Sequence, residues 1–168
     1  LLKGFPVFLL RHKVNLGQGA ALQTGIEFAL NRKAKFIVTY DADGQHQATD
    51  IDKLLEPLAS KEADITLGSR FILNNSRIPA GRRFVLQIAR FINFFFTGLL
   101  LTDAHNGLRA MTGEAAAKIR LRQSGMAHAT EIIGEVKKQR LRYKEIPVTI
   151  LYTDYSRKKG QTVWGSFR

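Results

Sequence analysis

The chain has 168 residues, which is enough for one domain with a substantial core. It contains no cysteine, so disulfide bonds and thiolate zinc sites are excluded. Its 26 lysine and arginine residues outnumber 14 acidic ones, and the net charge of +12 favours polyanionic partners such as nucleic acid, anionic membranes or phosphorylated substrates. Nucleic acid is not expected, because the sequence has neither zinc-finger spacing nor an RNP-like aromatic motif.

The first part of the chain alternates between strand and helix patterns. The apolar spacing predicts a strand at 6–11, a helix at 20–30, a strand at 35–40, a helix at 50–58 with Thr49 as N-cap, and a strand at 63–68. Short links between such elements are typical of an α/β fold whose crossover helices join parallel strands. We therefore predict a mainly parallel sheet within a single unit that spans residues 1–168.

A long apolar and basic stretch occupies residues 78–101. Its large apolar side chains recur at helical spacing and its arginines fall between them. The arginines argue against a membrane-spanning helix, which needs about 20 mainly apolar residues. An interfacial amphipathic helix on an anionic membrane is the favoured interpretation, and a core helix or a dimer surface is the alternative.

The remaining elements follow this stretch. The pattern predicts a strand at 108–111, helices at 114–121 and 129–140, and a strand at 145–150. The basic tail from residue 152 onward is predicted to be looped.

The strand at 35–40 ends on the hexamer Asp41-Ala-Asp-Gly-Gln-His46. Open α/β sheets bind ligands at the carboxyl ends of their strands. Asp41 and Asp43 are one residue apart, so an extended backbone would point both carboxylates the same way. Such oxygen ligands suit Mg²⁺ or Mn²⁺, while a simple surface turn is the alternative.

Three further groups of residues are candidates for ligand binding. Asn15, Gly17 and Gly19 lie in a strand-to-helix loop where backbone N–H groups can approach an anion, although a tight turn explains them equally well. Arg70 ends the third predicted strand and can hold a phosphate through two hydrogen bonds, although a solvated loop arginine explains it equally well. Asp103 and Arg109 flank a glycine turn before the next strand, and for these residues alone ordinary turn chemistry is the favoured interpretation.

Taken together, these segments resemble family 2 glycosyltransferases of the GT-A fold, and in particular the dolichyl- and polyprenyl-phosphate sugar synthases. The matching blocks are Asn15-Leu-Gly-Gln-Gly-Ala-Ala-Leu, Asp41-Ala-Asp-Gly-Gln-His, Gly68-Ser-Arg-Phe, Asp103-Ala-His-Asn-Gly-Leu-Arg109, Glu145-Ile-Pro-Val and Arg157-Lys-Lys-Gly-Gln. They follow the family's order over nearly the whole chain. The resemblance implies a Rossmann-like three-layer sandwich.

The resemblance also implies an inverting transfer of sugar from a nucleotide-diphosphate donor to a polyprenyl phosphate. Asp41 and Asp43, with Gln45, would hold Mg²⁺ or Mn²⁺. Arg157 and Lys159 would contact the donor phosphates in a closing loop, and Arg70 and Arg109 would meet the acceptor phosphate.

Asp103 falls where the family has an acid near the reaction centre. Asp103 would act as the general base if the sugar were instead transferred to a hydroxyl of a cell-surface polysaccharide. A non-catalytic basic module that binds nucleic acid or membrane is the rival interpretation. The lipid-phosphate interpretation places the protein at the cytoplasmic face of a membrane as a peripheral enzyme.

Two departures from the family pattern are expected to matter. The family's first two strands, which carry an acidic pair for the nucleotide, have no counterpart in this sequence, which begins at Leu1 and enters a predicted strand almost at once. The sequence is therefore expected to lack the N-terminal part of the domain. Ala104 also replaces the proline that usually follows the aspartate of the fourth block.

Overall fold

A computed structural model describes residues 6–72, 101–123, 125 and 127–151, with isolated positions 88, 91, 94, 95, 98 and 99. Most of the predicted interfacial segment at 78–101 lies outside the described residues. Arg157 and Lys159 also lie outside them.

Four helices and four strands are described over their full length. In chain order they are α1 (Gln18–Asn31), β1 (Phe36–Thr39), α2 (Asp50–Ala59), β2 (Ile65–Ser69), β3 (Arg109–Thr112), α3 (Gly113–Lys118), α4 (His128–Lys138) and β4 (Tyr143–Pro147). Thr49 is the N-cap of α2 as predicted, although its side chain makes no capping hydrogen bond. Each of these elements overlaps an element predicted from the sequence.

The predicted strand at 6–11 is wrong. These residues form no regular element, and their large apolar side chains are exposed, with Leu9 at 88%. An extended segment becomes a strand only when a neighbour satisfies its N–H and C=O groups. No strand of the described sheet pairs with this segment.

The sheet has the strand order β1-β3-β2-β4 and is mixed. Strand β3 is antiparallel to both of its neighbours, and only β2 and β4 form a parallel pair. The expectation of a mainly parallel sheet is therefore corrected. Strands β1, β2 and β4 share one direction, but β3 lies between β1 and β2. The prediction could not detect this, because sequence periodicity does not reveal strand direction.

Helices cover both faces of this sheet. Ile26 of α1 and Ile132 of α4 pack with Met111 on one face. Leu54 of α2 packs with Ala110 on the other. Because consecutive β3 residues face opposite layers, Ala110 and Met111 belong to different clusters. Burying each large aliphatic side chain contributes about 1.5–3 kcal/mol, so the three-layer α/β arrangement holds the loops at the sheet edge in place.

Candidate active site

Four chain segments meet at one edge of the sheet. Strands β1, β2 and β4 all end there, and the antiparallel β3 begins there, since Thr39 pairs with Arg109 and Ser69 with Pro147. The loops that follow β1, β2 and β4 therefore meet the loop that precedes β3. This edge carries all the predicted site residues of the described chain except the glycine loop, which reaches it through Gln18.

Asp41 is half-buried between two side chains and a backbone turn. Its Oδ1 accepts a hydrogen bond from Gln18 Nε2 at 3.3 Å, and its Oδ2 lies 3.7 Å from Nε2 of His46. The neighbouring imidazole of His46 lowers the pKa of the Asp41 carboxyl against the opposing effect of burial, and the Arg109 charge adds to this. Asp41 is thus held as an ionised carboxylate.

Gly107 allows this approach. A β-carbon at this position would lie 2.0 Å from Asp41 Oδ2, well inside van der Waals contact. The Gly107 carbonyl in turn accepts a hydrogen bond from Thr39 Oγ1 at 2.8 Å, which ties the turn to the end of β1. A glycine is therefore needed at position 107, because any side chain there would displace the Asp41 carboxylate.

Residues 42–45 form a turn, so the prediction that an extended backbone aligns the two carboxylates is wrong. Gly44 has φ 79°, and the Gln45 N–H donates to Asp43 Oδ1 at 3.0 Å. Asp43 is exposed and Gln45 is half-buried. The turn and metal-site interpretations are compatible, because the turn presents an exposed carboxylate close in sequence to an ionised, half-buried one.

The chemistry of this loop fits a hard divalent cation. Asp41, Asp43 and the side-chain oxygen of Gln45 are all oxygen donors, as Mg²⁺ and Mn²⁺ prefer. Within the described part of the chain, no three His, Asp or Glu side chains form a group that could enclose a metal. The three oxygen donors of the loop would leave further positions around such an ion to oxygens of water and substrate.

Arg70 and Asp103 form a two-point ion pair at the end of β2. Arg70 Nε donates to Asp103 Oδ2 at 2.7 Å and Nη2 donates to Oδ1 at 2.8 Å. The Arg70 backbone N–H and the Asn106 amide also donate to Oδ2. The Asp103 side chain is only 2% exposed, so both of its oxygens are engaged inside the protein.

Arg109, predicted to meet a phosphate, is buried under the 104–107 turn. Its guanidinium donates to the carbonyls of Asn106 (3.0 Å) and Ala104 (3.1 Å). Burial lowers its pKa to about 10, although Asp103 and Asp41 favour the charged form. In this arrangement Arg109 supports the turn on which Asp41 rests.

The glycine loop has a structural role at each of its three predicted positions. Asn15 Oδ1 accepts a hydrogen bond from the Gly17 N–H at 2.9 Å, and Gly17 takes φ 86° as the N-cap of α1. A β-carbon on Gly19 would lie 1.9 Å from the Gln123 carbonyl oxygen. Gly19 is thus explained by close packing, while Gln18 provides the contact with Asp41.

Two acidic residues organise the site without having been assigned there from the sequence. Glu145 accepts hydrogen bonds from the backbone N–H groups of Thr102 and Asp103. Asp50 accepts one from the Thr149 N–H at 2.8 Å. Glu145 belongs to a block that matched the family, but only the fold shows that its carboxylate reaches the Asp103 loop.

The chain after β4 is attached to the aspartate loop. The Leu151 N–H donates to the Gln45 carbonyl at 2.9 Å, and Ile150 forms an antiparallel bridge with His46. The last described residues of this segment, 150 and 151, therefore lie against the aspartate loop.

Sequence comparison identifies the family. The profile described as "Glycosyl transferase family 2" matches residues 1–120, which is more than half of the chain. The chain belongs to glycosyl transferase family 2. Members of this family generally use a divalent metal ion. The four-stranded mixed sheet with helices on both faces is consistent with a GT-A-like fold.

Relatives of this family 2 chain include an uncharacterized protein of Methanocaldococcus jannaschii, 38% identical over 166 residues that cover 96% of this chain and 68% of that protein. A UDP-N-acetylglucosamine–dolichyl-phosphate N-acetylglucosaminyltransferase of Methanococcus voltae is 32% identical, with coverages of 96% and 66%. An undecaprenyl-phosphate mannosyltransferase of Micrococcus luteus is 27% identical, with coverages of 91% and 64%. The chain thus spans about two thirds of the length of these proteins.

In the described segments of this family 2 domain, no helix combines the length and apolar character needed to cross a bilayer.

Proposed function

We propose that this protein transfers a sugar from a nucleotide-diphosphate sugar to a polyprenyl phosphate with inversion at the anomeric carbon. Family membership supports the glycosyl transfer. The names of the Methanococcus voltae and Micrococcus luteus relatives point to a lipid phosphate as acceptor.

The hydrogen bonding of the Asp103 carboxylate indicates which kind of molecule receives the sugar. A sugar hydroxyl must lose its proton as it attacks, which requires a base within hydrogen-bond reach. Both oxygens of Asp103 are instead bound by the Arg70 guanidinium. A phosphate acceptor is already anionic near neutral pH and needs orientation rather than deprotonation. The closed ion pair therefore favours the phosphate over the hydroxyl acceptor.

In this proposal Asp41, Asp43 and Gln45 would hold Mg²⁺ or Mn²⁺. The bound ion would supply charge neutralisation for the leaving group. Asn15 and Gly17 shape the loop before α1 on the donor side, and Gly19 allows α1 to pack there.

Arg70, whose side chain is 26% exposed at the site edge, positions the acceptor phosphate. Asp103 fixes the orientation of that guanidinium, and Arg109 acts through the turn that it supports. Arg157 and Lys159 contact the donor phosphates from the chain that follows Leu151.

The basic composition and segment 78–101 support a peripheral position at the cytoplasmic face of an anionic membrane, where the lipid acceptor resides.

The acceptor is tested by assaying the full-length protein with a panel of nucleotide sugars, each with Mn²⁺ and either a polyprenyl phosphate or the matching polyprenol. The proposal predicts metal-dependent transfer to the phosphate and none to the alcohol. Equal transfer to the alcohol would contradict it, because the attacking oxygen would then require a base. Salt-sensitive binding to nucleic acid without any transfer would support the non-catalytic alternative.

A further inference from the structure

His46 is a buried imidazole within the aspartate loop that the transfer reaction itself does not use. Its side chain is 6% exposed, and Nε2 lies 3.7 Å from Asp41 Oδ2. The other ring nitrogen, Nδ1, is buried and has no hydrogen-bond partner among the described residues. Nε2 therefore faces a carboxylate, whereas Nδ1 is buried and accepts or donates no hydrogen bond within the described residues.

The different surroundings of the two ring nitrogens indicate which of them carries the proton in the neutral form of His46. A buried N–H group without an acceptor is destabilising, and orphaned donors are rarer in proteins than under-satisfied acceptors. The proton of neutral His46 therefore belongs on Nε2, where it points toward Asp41, and Nδ1 stays bare. The Nε2–H of His46 thus faces one oxygen of the carboxylate, at 3.7 Å, which is longer than a direct hydrogen bond.

The backbone holds this donor in place. The Tyr40 hydroxyl donates to the His46 carbonyl at 2.6 Å, and the Tyr40 and His46 rings lie 5.7 Å apart. The antiparallel bridge to Ile150 fixes the same residue from the other side. Because the ring is buried and its backbone is tied twice, it cannot turn away from Asp41 without disturbing the loop.

Asp41 is consequently restrained at both oxygens. Gln18 donates to Oδ1 at 3.3 Å, while His46 and the Gly107 turn confine Oδ2. Second-layer donors of this kind orient the ligands of metal ions, and their loss typically costs about 10–100-fold in metal affinity. We propose that His46 is a positioning residue that orients the Asp41 carboxylate for the divalent ion; the inference rests on the proposed metal site.

Two amide substitutions separate this role from simple packing. The amide nitrogen of His46→Gln reaches about as far as Nε2, whereas that of His46→Asn reaches only the Nδ1 position. Both variants are polar and neither is charged. Mn²⁺ affinity of the full-length protein is measured from the electron paramagnetic resonance signal of free Mn²⁺, with Mn²⁺ alone and with Mn²⁺ plus inorganic pyrophosphate. Thermal melting of each variant is measured alongside.

The inference predicts that His46→Asn weakens Mn²⁺ binding about tenfold or more, while His46→Gln stays within about threefold of the wild type. The two variants should melt at similar temperatures. Equal Mn²⁺ affinity of the two variants would overturn the inference, and so would an affinity loss that follows melting temperature.

Asp43→Asn serves as the reference for the site itself. If Asp43→Asn weakens Mn²⁺ binding while both His46 variants bind like the wild type, the role of His46 fails and the metal site stands. If Asp43→Asn binds Mn²⁺ like the wild type, the proposed metal site fails and this inference fails with it.

Discussion

At the scale of single residues, Asp41 occupies the most constrained position of the aspartate loop. It is half-buried yet ionised, since the pKa of its carboxyl is lowered by His46 first and by the Arg109 charge as well. Asp43, two residues later, is exposed and free of such packing. One carboxylate is thus set rigidly by the protein, and the other projects toward solvent, where a substrate-bound ion would meet it.

Gly107→Ala tests the packing beneath Asp41. The added methyl group would lie 2.0 Å from Asp41 Oδ2, so the carboxylate must move. We expect metal-dependent transfer to fall at least about tenfold, as for the loss of a residue that orients a ligand. Steady-state assays across a Mn²⁺ titration measure this.

Gly25→Ala, in the middle of α1, is the matched control because, in the described part of the chain, nothing beyond its own stretch of helix lies within 4 Å of the added carbon. It should keep activity and raise the free energy of unfolding by about 0.5–1 kcal/mol, since alanine favours a helix more than glycine does. Equal activity of the two variants would contradict the packing argument.

At the scale of elements, the parallel pair β2 and β4 is joined outside the sheet by an ion pair just before each strand. Asp64 accepts hydrogen bonds from the Arg142 N–H at 2.8 Å and from Nη2 at 2.7 Å. The Arg142 guanidinium lowers the pKa of the Asp64 carboxyl below its ordinary value of 3.8, against a smaller opposing effect of burial. Arg70 directly follows β2, and residues 148–151 directly follow β4, so this ion pair lies at the opposite end of the two strands from the site.

This pair predicts a pH dependence of stability with a definite sign. A carboxyl whose pKa is lower in the folded state stabilises the fold above its unfolded pKa, and that contribution is lost as pH falls through the folded pKa. Asp64→Asn lacks the contribution at every pH. The difference in melting temperature between wild type and Asp64→Asn should therefore shrink as pH falls from about 5 to about 2. A constant difference over that range would contradict the assignment.

At the scale of the whole molecule, the direction of β3 decides which residues meet. In a fully parallel sheet, the loop before β3 would lie at the opposite edge from Asp41. Because β3 is antiparallel, Asp103 and Gly107 reach the edge where β1 and β2 end. The convergence of Asp41, Arg70 and Asp103 is thus a property of the topology.

The sequence predicts the elements better than their arrangement. Apolar runs such as 36–39 and 65–69 are strands because each has a bonded neighbour, whereas the equally apolar run at 6–11 has none in the described sheet. The aspartate loop could be found because carboxylates directly follow a strand. The burial of Arg109 could not, since it depends on a turn folding back over the guanidinium.

We propose that the aspartate loop holds the metal used in sugar transfer. The most direct test compares Asp43→Asn with Asp52→Asn in the full-length protein, since Asp52 is an exposed aspartate of α2 outside the loop. Mn²⁺-dependent transfer to polyprenyl phosphate is measured for both. We predict a loss of about 100-fold or more for Asp43→Asn with unchanged melting, and no loss for Asp52→Asn. Wild-type transfer by a folded Asp43→Asn protein would contradict the account.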